Sequence, residues 1–109
     1  MKIGEILQQG DVLLERVEKI GKGENIKPEK ERGYVLAEGE VSGHCHKITE
    51  VKSVTMVKTD DGRIYLSVKT VVPLKHNEHH IIIIEPGEYE VRKVVERDHF
   101  HRATRKVVD

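Results

Sequence analysis

The chain has 109 residues, enough for one domain with a modest core, and its 19 basic and 19 acidic residues cancel. That balance excludes a whole-molecule field drawing it to an anionic membrane, and no nucleic-acid partner is expected. One cysteine excludes an internal disulfide, no apolar run approaches the roughly eighteen residues of a membrane helix, and no leader pattern opens the chain, so a soluble cytoplasmic protein is expected.

Lys2 to Gln9 reads as a short helical turn with Ile3, Ile6 and Leu7 on one side, stopped by Gly10-Asp11. Val12 to Val17 follows as a strand. Gly21 to Arg32 carries glycines, Pro28 and alternating charge without an apolar period, and reads as an exposed loop. Tyr34 to Glu38 is a second strand, Gly39 to Gly43 a bend or bulge, and Gly43 to Val51 a strand that carries two histidines. Val54 to Thr59 and Arg63 to Lys69 flank Asp60-Asp61-Gly62, a hairpin signal because glycine supplies the positive φ of the turn.

Val71 to Leu74 continues the sheet, with Pro73 at an edge or a bend. The isoleucine run in His80 to Glu85, bounded by Pro86-Gly87, reads as a strand buried on both faces. Glu88 to Glu96 is expected to pair with it across that turn. Arg97 to Asp109 is a basic, loosely ordered tail ending in a short strand at Lys106 to Val108. Residues 1–109 then form a single all-β domain, a small antiparallel β-barrel or sandwich.

The seven histidines fall into three groups: His44 and His46; His76, His79 and His80; His99 and His101. On a strand the side-chain period is two, so His44 and His46 share a face while Cys45 and Lys47 take the other. Two imidazoles about 7 Å apart on one strand face can lean onto one metal ion. The second group lies far enough downstream to return beside the first. If its segment turns, His76 and His79 share a side; if it is extended, His76, Glu78 and His80 do. The turn is favoured, because the buried strand begins at His80 or Ile81.

The expected ligands are His44, His46 and His79, with His76 a fourth ligand or a group behind the ligands and Glu50 or Glu78 the carboxylate. Such a donor set suits a divalent metal: Zn²⁺, Fe²⁺, Mn²⁺ or Ni²⁺. Glu78 is also the candidate catalytic base for an unidentified small-molecule substrate. The competing account pairs the imidazoles with backbone or carboxylate groups on a wet sheet face and leaves Glu78 a surface charge. Cys45 is read as a small apolar filler. His99 and His101 sit in a basic tail with Phe100 as the one nearby ring, too little for base stacking.

Gly10 to Leu14, Ala37 to His46, His76 to His79 and Pro86 to Val91 together resemble a group of small, uncharacterised bacterial and phage-encoded proteins. Their pattern is Gly-Asp-Val-Leu-Leu, Ala-Glu-Gly-Glu-Val-Ser/Thr-Gly-His-x-His, His-x-Glu-His and Pro/x-Gly-x-Tyr-x-Val. The resemblance spans nearly the whole chain and implies that these histidines matter, without supplying a reaction. It departs at Val94 to Arg97, where such proteins read Gln-x-Glu-Tyr.

A more distant resemblance is to the cupins, metal-holding β-barrels. His44, His46 and Glu50 match their His-x-His-x-x-x-Glu segment, with Gly39 one residue closer to His44 than the usual cupin spacing. The second histidine cluster precedes Pro86-Gly87 rather than following it, so the resemblance implies cupin-like architecture and not cupin activity.

Two further classes remain open. One is a non-enzymatic structural or interaction module, phage-related, forming a homo-oligomer through exposed β edges with structural histidines. The other is a pH-responsive binder, since clustered imidazoles gain charge together below about pH 6.5.

Overall fold

The computed structural model describes residues 2–39, 43–94 and 107–108. Its elements are β1 (Ile6–Gln9), β2 (Val12–Val17), β3 (Gly23–Ile26), β4 (Tyr34–Glu38), β5 (Cys45–Ile48), a 3₁₀ turn (Val51–Ser53), β6 (Val54–Thr59), β7 (Ile64–Val68), β8 (Val72–Leu74), β9 (Ile82–Ile84), β10 (Gly87–Lys93) and β11 (Val107–Val108). The large sheet runs β11-β1-β2-β10-β7-β6-β3. Each of its pairings is antiparallel except the short parallel contact of β11 with β1. Two hairpins, β4–β5 and β8–β9, stand apart from it and are joined by a reciprocal backbone pair between Lys47 and Lys75, at 2.9 and 2.8 Å.

Side-chain alternation explains how the layers meet. Val12 and Leu14 on β2, Val54 and Met56 on β6, and Leu66 and Val68 on β7 face one core at every second position, while Leu13 and Val57 are buried outside it. They share one core with Tyr34, Ile48, Val72, Leu74 and Ile84 of the two hairpins. Removing a Leu or Ile of this kind from water stabilises the fold by about 1.5–3 kcal/mol. The core, and not a closed ring of hydrogen bonds, therefore holds the hairpins to the sheet.

Among the described residues the large sheet stays open, with β3 and β11 as its edges, so neither a closed barrel nor a cupin barrel forms. The N-terminal helical turn is absent: Ile6–Gln9 is a strand, because pairing with β2 buries Ile6 and Leu7 and seals Gln9 against the hairpin turn. The loop expected over 21–32 contains edge strand β3, which pairs with β6 although its own side chains stay mostly exposed. β10 pairs with β2 and β7 rather than with β9. β9 in turn is buried on one face alone, leaving Ile81 and Ile83 more than half exposed. Residues 95–106, with His99 and His101, lie outside the described residues.

Candidate functional site

Three segments build the site. The first is the β1–β2 hairpin tip, where Gln9 pairs with Val12 across Gly10-Asp11 and Gly10 takes a φ of +56°, as a tight hairpin loop requires at its first central position. The second is β5, which carries His46 and is entered through His44. The third is the connection from β8 to β9, with His76, Glu78, His79 and His80. The Lys47–Lys75 pair sets the second beside the third, and Asn77 Oδ1 reinforces it by accepting from the Cys45 backbone N–H at 3.2 Å.

The two histidine clusters meet in space. The His76 ring centroid lies 4.3 Å from that of His46, 4.5 Å from that of His79 and 6.0 Å from that of His44. His46 and His79 are stacked, 5.8 Å apart and 15° from parallel. These four rings, with Gly10, Asp11, Gly39 and Glu78, line one pocket of about 270 Å³. Glu50 is outside that lining: it is exposed and leads into the 3₁₀ turn. His80 lines a neighbouring cleft of about 600 Å³ with Gln8, Gln9, Ile81 and Ile82, and the two cavities share Gly10 and His79.

His46 is 1% exposed. Its Nδ1 stands 2.9 Å from Gln9 Oε1 and its Nε2 stands 3.2 Å from Asp11 Oδ1. Gln9, also buried, donates from its amide nitrogen to the carbonyls of Leu74 and His80, both at 2.8 Å. Those two bonds fix which end of the amide faces His46: it is the oxygen. Burial holds the His46 imidazole below its usual range, the neighbouring His76 adds to this, and Asp11 opposes it. His76 is likewise held low by burial and then by His79.

The remaining groups differ in how they are engaged. His76 Nδ1 accepts from the backbone N–H groups of Glu78 and His79 at 3.0 and 3.4 Å, so this ring caps its own turn. His44 Nδ1 lies 3.0 Å from Glu78 Oε1, yet the atom is buried and makes no hydrogen bond, because the approach is off the direction one requires. Asp11 presents its second oxygen to Lys93, 3.6 Å away.

Among the described residues no three His, Cys, Asp or Glu side chains converge closely enough to hold a metal ion as they lie. Sequence reasoning assembled His44, His46, His76, Glu78 and His79 but missed Gln9 and Asp11, whose signals were the Gly10-Asp11 break and, for Asp11, its place in the Gly10 to Leu14 segment. Cys45 is buried and free.

Residues 8–94 match a family model described as Domain of unknown function (DUF8820). Comparison with curated proteins and with solved structures finds no match for the chain. No helix among the described residues is long and apolar enough to cross a membrane.

Proposed function

The chain belongs to the DUF8820 family, and we propose that its function is to bind a divalent metal ion in the pocket between the β1–β2 tip, β5 and the β8–β9 connection. One observation carries this reading: four imidazoles and two carboxylates from three separate segments line a single pocket. Nitrogen and carboxylate donors of this kind suit Zn²⁺, Fe²⁺, Mn²⁺ or Ni²⁺. Binding requires the more exposed rings to turn toward the ion, a rotamer change open to His79 and to half-buried His44. Glu78, at the exposed rim, is the group placed to exchange a proton with a ligand of the pocket.

Elemental analysis of untagged protein tests this, beside a His44→Ala/His46→Ala double variant checked for folding by circular dichroism. The expected result is close to one metal per chain, lost in the variant. No metal after incubation with zinc, iron, manganese and nickel would overturn the reading.

A second reading, a self-assembling interaction module, has one observation in its favour. The outer edge of β9 has no strand partner among the described residues, and Val71, Ile81 and Ile83 stand exposed around it. An oligomer by light scattering that persists in chelator is its signature.

A further inference from the structure

Each ring nitrogen of buried His46 faces an oxygen that can only accept, the Gln9 amide oxygen on one side and the Asp11 carboxylate on the other. The amide cannot turn over to offer its N–H₂, because that group is committed to the carbonyls of Leu74 and His80. Gln9 therefore fixes a proton on Nδ1 and directs the other nitrogen, Nε2, at Asp11. A nitrogen lone pair and a carboxylate oxygen 3.2 Å apart repel each other unless something positive lies between them. Two ligand atoms bound about 2.1 Å from one ion, at angles between about 90° and 109°, stand roughly 3.0–3.4 Å apart, so the observed spacing fits neighbouring ligands as well as it fits a hydrogen bond.

A bridging proton would satisfy the same pair, and the surroundings separate the two cases. His76, His79, His44 and Glu78 border the same pocket, and the buried Nδ1 of His44 makes no hydrogen bond although Glu78 Oε1 stands 3.0 Å away. Further nitrogen and oxygen donors around the pair serve a metal ion; a proton needs none of them.

We propose that Asp11 and His46 are the preformed half of the metal centre, with Asp11 Oδ1 and His46 Nε2 as direct ligands and Gln9 as the residue that positions His46. This rests on the metal-binding reading above and replaces Glu50 by Asp11 as the carboxylate. Gln9 then holds the ring through its far N–H, the outer contact that orients most metal-binding histidines. Because its amide also spans Leu74 and His80, it ties the β8–β9 connection, with His76 and His79, to the hairpin tip that supplies Asp11.

Metal-free protein is titrated with Co²⁺, whose visible absorption reports both affinity and the identity of its ligands. Asp11→Asn, at a half-buried turn position that tolerates the isosteric change, is expected to weaken Co²⁺ binding at least about tenfold and to move the absorption bands. Gln9→Leu is expected to weaken binding roughly 10–100-fold while leaving the Co²⁺ absorption bands in place, since Gln9 holds His46 and is not itself a ligand. Thermal melting records folding of each variant; should the Gln9 variant fail to fold, Asp11→Asn decides alone. Wild-type affinity and an unchanged spectrum in Asp11→Asn would overturn the assignment of Asp11 while leaving a metal site standing. Absence of Co²⁺ binding by the unaltered chain would overturn both.

Discussion

The imidazole of His79 lies against Gly10 so closely that a Cβ built on the glycine would fall 2.6 Å from its Nε2. Gly10 therefore has two tasks, to supply the positive φ of the hairpin and to leave room for a ring of the pocket. Gly10→Ala is expected to cost about 1 kcal/mol through backbone strain and to displace His79, lowering metal occupancy. Gly62→Ala is the control: its φ is +86°, yet nothing lies within 4 Å of the added carbon. Thermal melts should show similar losses for both variants, and metal analysis a loss for Gly10→Ala alone.

The metal-free protein should lose stability as the solution turns mildly acidic. His46 is held below the usual imidazole range by burial and then by His76, and His76 by burial and then by His79 and His44, so the folded chain takes up their protons later than the unfolded chain does. Their contribution is fully present above about pH 6.5 and is lost as pH falls through the lowered values. The groups facing them are His44, His79, Glu78, Asp11 and, beyond Asp11, Lys93 on β10. Urea midpoints of metal-free protein at about pH 7.5 and about pH 5.5 should differ, the acidic one lower. An equal or higher acidic midpoint would mean that Asp11 outweighs burial at His46.

Local signals in the sequence suffice where the deciding contacts are local. Val12–Val17 and Tyr34–Glu38 carry enough β-branched and apolar residues to mark strands, and Asp61-Gly62 marks the β6–β7 turn. Elsewhere the outcome depended on distant partners. Ile3, Ile6 and Leu7 fit a helical spacing as well as a strand, and pairing with β2 decided between them. β9 and β10 are neighbours in sequence across Pro86, yet β10 inserts between β2 and β7, which leaves β9 as an edge with isoleucines exposed. At the pocket, paired histidines at strand spacing were visible in the sequence. Gln9 and Asp11 were not, since a glutamine and an aspartate around a turn look like ordinary turn chemistry until the fold brings His46 between them.

Tyr89 anchors the turn that separates those two strands. Its ring is fully buried beneath the Arg16 guanidinium, 5.8 Å from the ring centroid, and its hydroxyl donates to the Glu85 carbonyl at 2.6 Å. Tyr89→Phe keeps the ring and removes the hydrogen bond, so denaturant unfolding should show a loss of about 0.5–1.5 kcal/mol with an unchanged m-value. A loss near that of deleting the whole ring, about 3–5 kcal/mol, would show that the hydroxyl organises more than this one turn.

The outer edge of β9 yields the last prediction. Ile83 lies opposite Pro73 in the β8–β9 pairing and is 53% exposed, with Ile81 at 58% beside it. An unpaired strand edge flanked by isoleucines is a template for another strand, and a lysine is the residue that commonly blocks one. Ile83→Lys removes little buried surface, so its stability should stay within about 0.5 kcal/mol of the unaltered chain. Light scattering is the measurement to make on both proteins. An oligomer that becomes a monomer in Ile83→Lys would establish assembly through this edge, whereas a monomeric unaltered chain at about 100 μM would remove the self-assembling reading and leave the edge merely solvated.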